Sequence, residues 1–324
     1  MSEFKRKYFL ILFVFLCSCS NSPDNFSQRE YGTLLWVGSS QKDSAIKKAV
    51  HHTLESSSVI IAQIPWSPNN DTFLKNIEWY SNLAKDHGKI LMVNIDWQNN
   101  DRTGTRGNWY FKSDKVKKRF LMDMHEIVKK YSPNYLTLGI EVNYFALTDP
   151  EDFVNFIELF NKVKSTLKKN YPKLEIGLSY QLELLYGLHT GWNPERSLQA
   201  LDAVVENLDY LGISTYPKFT IPKKNKPFYS IDYLDSISST YKLPIGISET
   251  GVTHTDFDEE ERKEYISLIF QKYQSENLKF LIWGSIIDGS GETNWENEIG
   301  LMNFDGSTKP EFSLWKQNME KISE

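Results

Sequence analysis

Eight apolar, β-rich runs alternate with helix-compatible stretches along the chain, and few architectures accept that pattern. The runs are Thr33–Val37, Ser58–Ile64, Lys89–Ile95, Tyr135–Ile140, Leu174–Ser179, Leu208–Ser214, Leu243–Ser248 and Lys279–Ser285. Between them lie Ser44–Leu54, Phe73–Asp86, Ser113–Lys130, Pro150–Lys169, Asn193–Glu206, Ile231–Tyr241 and Asp258–Glu276. In the fourth of these, Phe153, Phe156, Ile157, Phe160 and Val163 fall on one helical face. His87-Gly88, Ser132-Pro133 and Tyr171-Pro172 punctuate the joins to the third, fourth and fifth runs. The alternation predicts an α/β fold, a single-domain (β/α)₈ TIM barrel over residues 31–324. A doubly wound open sheet would carry a Gly-rich phosphate turn after an early strand, and Val37-Gly38-Ser39-Ser40 is too poor in glycine for that.

In such a barrel the chemistry sits where strands end, so the residues there are the candidates. Two runs end in glutamate, Leu138-Gly139-Ile140-Glu141 and Ile247-Ser248-Glu249. An ionised carboxylate closing a core strand is unfavourable unless a local partner or reaction uses it. Two of them across one barrel mouth form the pair that a retaining glycosidase requires, about 5–5.5 Å apart. The other strand ends carry Trp66, then Asn94, Asp96 and Trp97, then Asn143, Tyr216 and Trp283. Polar groups and rings of this kind suit the contact of a sugar's hydroxyls and its apolar face.

The N-terminus reads as a targeting segment outside the fold. Lys5, Arg6 and Lys7 precede an apolar stretch from Tyr8 to Leu16, which is too short for the roughly 20 residues of a membrane-spanning helix. Leu16-Cys17-Ser18-Cys19 follows and looks like a bacterial lipobox. This divides the chain into a signal peptide over 1–18, a polar tether over 19–30 that begins at a lipidated Cys19, and the barrel. The resemblance implies a lipid-anchored protein of the bacterial cell envelope, with Ser20 favouring the outer membrane. Both cysteines lie in this segment, so the remaining chain has no thiol for a disulfide, nucleophile or metal site.

The formal charge of −5 comes without a basic stripe and argues against nucleic acid as a partner. His51 and His52 are adjacent, so on a helix they diverge by about 100°, and they read as exposed surface. Asp256, Asp258, Glu259 and Glu260 read as the start of a helix favoured by its dipole. No cofactor or metal is expected, and the chain is expected to act as a monomer on a polysaccharide or oligosaccharide.

On Leu138-Gly139-Ile140-Glu141, Tyr210-Leu211-Gly212-Ile213-Ser214-Thr215-Tyr216-Pro217 and Ile247-Ser248-Glu249-Thr250, the chain resembles clan A of the glycoside hydrolases. Within the clan it looks most like family 53, the arabinogalactan endo-β-1,4-galactanases. The tail Gly300–Pro310 also looks like the closing segment common in that clan. The resemblance implies a protonated Glu141 as acid/base and an ionised Glu249 as nucleophile, the latter served by the Tyr216 hydroxyl. It also implies Trp283 as the floor of the subsite where the bond breaks. The clan usually carries asparagine before the acid/base; this chain has Ile140, which cannot bond a sugar hydroxyl. An alternative expectation is therefore a glycan-binding lipoprotein that retains the barrel without catalysis.

Overall fold

The computed structural model describes residues 29–36, 41–192, 197–220, 226–276, 278–289 and 295–323. Cys19, the rest of the N-terminal segment and Gly38-Ser39-Ser40 lie outside the described residues.

The eight strands are β1 (Glu30–Thr33), β2 (Val59–Pro65), β3 (Ile90–Asp96), β4 (Tyr135–Thr137), β5 (Glu175–Gln181), β6 (Tyr210–Thr215), β7 (Ile245–Thr250) and β8 (Phe280–Trp283). All pair in parallel, in the order β1-β8-β7-β6-β5-β4-β3-β2. The helices are α1 (Asp43–Glu55), α2 (Phe73–Asp86), α3 (Asp114–Tyr131), α4 (Val142–Thr148), α5 (Pro150–Asn170), α6 (Leu182–Leu185), α7 (Leu198–Asp202), α8 (Tyr233–Thr240), α9 (Glu259–Ser275) and α10 (Pro310–Ser323). This is the anticipated single-domain (β/α)₈ barrel. Its seam between β1 and β2 is joined partly by side chains: Ser58 Oγ and Ser57 Oγ accept from the Tyr31 and Thr33 amides at 2.9 and 3.2 Å. The Ser58 amide donates to the Tyr31 carbonyl at 2.8 Å.

Residues of each strand alternate between two apolar layers. Leu34, Val59, Ile61, Met92, Tyr135, Tyr210, Phe280 and Ile282 form the inner one, filling the base of the barrel. Their neighbours in the strands, among them Ile60, Val93, Leu136, Leu211 and Leu281, join the helices in the outer layer. Space for the inner rings comes from Gly246, where a Cβ would lie 2.3 Å from the Phe280 ring. Above this base the lumen turns polar. Thr137 Oγ1 donates to Asn94 Oδ1 at 2.6 Å and lies 2.8 Å from Tyr210 Oη, while Ser179 and Ser248 join hydroxyls at 2.8 Å.

Several elements differ from their sequence reading. β1 begins three residues earlier than expected, at Glu30, whose buried carboxyl accepts from Tyr135 Oη at 2.8 Å. The stretch expected to be helical over 193–206 yields α7 and a 3₁₀ turn, Val205–Asn207, with residues 193–196 outside those described. The acidic cluster after β7 does start a helix: Asp258 caps α9 by accepting from the Glu261 amide, and Glu261 returns the bond.

Candidate active site

Glu141 and Glu249 reach the barrel mouth by different local devices. β4 stops at Thr137, and the chain passes through Glu141 in left-handed conformation (φ 50°, ψ 42°) before entering α4. A non-glycine residue there carries strain of order 1–2 kcal/mol, so its surroundings must hold it. Gln98 does so, donating Nε2 to the carbonyls of Ile140 and Glu141 at 2.6 and 3.2 Å. On β7 the register against β6 slips between Ile213 and Ser214, so that Ile213 pairs with Ile247 and Ser214 with Glu249. The extra residue is Ser248. Such a bulge re-aims the next side chain, which lets Ser248 and Glu249 both face inward.

The two carboxylates meet at Ser214. Its Oγ donates to Glu141 Oε1 at 2.6 Å, and its backbone is the direct β-partner of Glu249. The Glu141 side chain thus crosses the mouth to the strand beside Glu249, and adjacent strands lie about 4.8 Å apart. Both groups are at least nine-tenths buried.

A cation that sequence reasoning missed completes the site. After β3, residues 97–106 fold back as a small hairpin, with Gln98 bridging Thr105 and the Arg106 amide donating to the Trp97 carbonyl at 3.0 Å. Arg102 sits at its tip with φ 59°. Its Nη1 donates to Asp96 Oδ1 at 2.6 Å, and its Nε lies 3.2 Å from Glu141 Oε2. Arg106 Nη2 holds the other Asp96 oxygen at 3.1 Å. Asp96 therefore anchors two guanidinium groups, one of which reaches the carboxylate pair.

Electrostatics acts on both members of the pair. Burial raises Glu141 above the usual carboxylate range, while Arg102 and Ser214 act against it. Glu249 is pushed up to about 8 by burial and then by the Glu141 charge. The Tyr216 hydroxyl opposes this most strongly, although no acceptor is well aligned with Tyr216 Oη in the free site. Burial thus raises both carboxyls, and the Arg102 cation opposes the rise in each. Glu296, in the 3₁₀ turn Trp295–Glu298, adds negative potential to both groups.

Other expected contacts lie elsewhere. Trp283 projects into the outer layer, 5.6 Å from the Trp315 ring and 6.2 Å from Tyr265, with Nε1 donating to the Ile299 carbonyl at 2.8 Å. It cannot floor a sugar subsite from there. Trp97 also points outward, packed on Phe111, Phe145 and Phe156, and Trp66 packs on Trp109 and Phe120 with Nε1 bonded to Asp123 at 2.8 Å. Neither presents a free face. Asn143 is fully buried, exchanging bonds with the Gln181 backbone at 2.9 and 3.0 Å, and so ties α4 to β5. Asn94 lies in the polar layer bonded to Thr137. Ile140 is buried, and the described donors to the Glu141 carboxylate are Ser214 Oγ at 2.6 Å and Arg102 Nε at 3.2 Å. Tyr216 and Asp96 do join the site.

Glu183 was also missed. It is fully buried and accepts from Thr215 Oγ1 at 2.6 Å and Gln181 Nε2 at 2.5 Å, supporting the end of β6 from behind. Burial raises its carboxyl to about 7. Away from the mouth, His51, His52 and Glu55 on α1 do not diverge as expected, since each offers a ligand atom within 4.8 Å of the others. Lys316 stands 3.6 Å from Glu55 and supplies a cation there already.

No family model and no curated protein matches the sequence. Solved structures do match the fold. An exo-β-1,4-mannosidase from Opitutaceae bacterium strain TAV5 aligns with TM-score 0.68 at 13% identity, over 91% of this chain and 60% of that one. This chain thus spans less than two thirds of that chain's length. A GH5_18 protein from Bifidobacterium longum subsp. infantis aligns with TM-score 0.70 at 14% identity, over 91% and 79% of the two chains. A β-glucosidase from Thermotoga maritima, in complex with castanospermine, aligns with TM-score 0.60 at 12% identity, over 90% and 93%. At these identities the likeness establishes the shared barrel.

Proposed function

We propose that the protein is a retaining glycoside hydrolase that cleaves β-glycosidic bonds in a polysaccharide. The observation that carries this reading is the junction at Ser214, which binds Glu141 and pairs with Glu249. Two buried carboxylates drawn to one serine and its β-partner support retention, which requires them about 5–5.5 Å apart. In the first step Glu249 Oε attacks the anomeric carbon as the bond to the leaving oxygen breaks, and Glu141 gives that oxygen a proton. In the second step Glu141 takes a proton from water, whose oxygen displaces Glu249 from the same carbon. The cycle needs one proton on the pair, carried by Glu141 when the bond breaks. Arg102, which acts on both carboxyls, influences where that proton sits.

The mannosidase and glucosidase among the structural neighbours favour a β-linked hexopyranoside, and the family 53 resemblance adds galactan to the set. The lipobox-like Leu16-Cys17-Ser18-Cys19 favours lipid anchoring at the bacterial envelope. A non-catalytic glycan binder is the second reading, favoured by Ile140.

The test compares wild type with Glu249→Gln on 4-nitrophenyl β-glycosides and on mannan, galactan and β-glucan. Turnover by the wild type, falling at least about 10³-fold in the variant, supports the enzyme. Binding of a polysaccharide without turnover in either protein supports the binder.

A further inference from the structure

Three rings left partly open on this rim are each seated on a ring that is buried. Trp192 meets Tyr144 at 4.8 Å and 70°, Phe219 stacks on His189 at 4.9 Å and 13°, and Trp295 meets Tyr216 at 4.6 Å and 73°. Phe219 and Trp295 also touch, at 4.9 Å, and Tyr144 Oη lies 2.8 Å from His189 Nε2, so the six rings form one connected wall. His189 Nδ1 lies 2.7 Å from the Thr190 carbonyl and must donate there, so Nε2 is the acceptor for the Tyr144 hydroxyl. Burial keeps the imidazole in this neutral form. The supporting rings are thus fixed before any ligand arrives.

The two ends of the wall serve different carboxylates. Tyr216, beneath Trp295, stands two residues past Ser214, the β-partner of Glu249. Tyr144, beneath Trp192, stands one turn of α4 past Glu141, and its amide donates to the Glu141 carbonyl at 3.1 Å. In a retaining reaction the nucleophile lies with the sugar being attacked and the acid with the leaving group.

We propose that Trp192 is the platform for the leaving-group sugar, with Trp295 and Phe219 walling the sugar that is attacked. This rests on the hydrolase reading and deepens it. The substrate class is an oligosaccharide with pyranose rings on both sides of the scissile bond, each held by its apolar face against an aromatic ring. Rigid, pre-seated rings suit this purpose because little side-chain freedom is lost on binding.

The experiment uses Trp192→Ala and Trp295→Ala in the full chain. The probes are β-1,4-linked trisaccharides of mannose, glucose and galactose, with the 4-nitrophenyl β-glycosides of the same sugars. Trp192→Ala is expected to lower kcat/KM on the hydrolysed trisaccharide at least about tenfold more than on the matching nitrophenyl glycoside, mainly through KM. Trp295→Ala is expected to lower both alike. Equal losses for Trp192→Ala on both probes, or none on the trisaccharide, would overturn the assignment. Binding of the same trisaccharides to Glu249→Gln, with and without Trp192→Ala, separates this idea from the hydrolase reading. A Trp192-dependent affinity supports the platform even without turnover, whereas absent binding or an unchanged affinity overturns it.

Discussion

Arg102 Nε lies 3.2 Å from Glu141 Oε2, and through this contact a loop after the third strand sets the charge of the fourth strand's acid. Its other arm is fixed on Asp96 at 2.6 Å, so the guanidinium cannot drift with solvent. The direction of its influence is defined: it lowers both Glu141 and Glu249.

Replacing Arg102 with Met should therefore raise both carboxyls. The acidic limb of the kcat/KM profile, where the group that must be charged ionises, should move to higher pH. Activity at neutral pH should fall by about 10²-fold. Lys at this position keeps the charge but has one donor head for two carboxylates, so it should rescue only part of the loss. A pH–rate profile of the three proteins checks this, and an unmoved acidic limb would contradict it.

Gly284, just past β8, leaves the space that the Tyr216 hydroxyl uses. A Cβ there would stand 3.0 Å from Tyr216 Oη, 3.0 Å from the Thr250 carbonyl and 2.8 Å from Ile299 Cδ1. Gly284→Ala should push the phenol from its place beside Glu249. We expect about a tenfold loss of kcat and a stability loss of about 1–3 kcal/mol. Kinetics and thermal unfolding of one preparation separate the two effects.

Glu30, at the base of the barrel, should make stability pH-dependent. Burial raises its carboxyl to about 7 in the folded chain from 4.5, so the folded state binds the extra proton. Stability is then lost as pH rises from about 4.5 to about 7, and the deficit persists above that. Glu30→Gln keeps the acceptor for Tyr135 and removes the ionisation. It should be more stable than wild type at pH 8, by up to about 3 kcal/mol, with little gain at pH 4. Denaturant unfolding at the two pH values measures this.

Much of this molecule was legible in its sequence, because the alternation of apolar runs and amphipathic stretches leaves little but a barrel. Glu141 and Glu249 stood out for the same reason, as charges ending core strands. The direction of each aromatic was not legible. β8 is apolar on both faces, as barrel strands are, so nothing in Phe280-Leu281-Ile282-Trp283 says which alternate residues enter the lumen. Trp283 was misplaced on that account. The bulge at Ser248 breaks the period-two rule that would otherwise turn Ser248 or Glu249 away from the lumen. Arg102 lies in a polar loop whose hairpin depends on contacts with Asp96 and Glu141, and such a loop has no periodicity to read. Its one signal was an arginine-bearing, Gly-containing segment directly after a strand ending in Asp96.

The most direct test of the central claim is to trap the covalent intermediate. The protein is incubated with a 2-deoxy-2-fluoro β-glycoside of a sugar it hydrolyses, then digested and mapped by mass spectrometry. The account predicts one added fluoroglycosyl group per chain, on the peptide bearing Glu249. The label on Glu141, or no label together with inverted product, would contradict it.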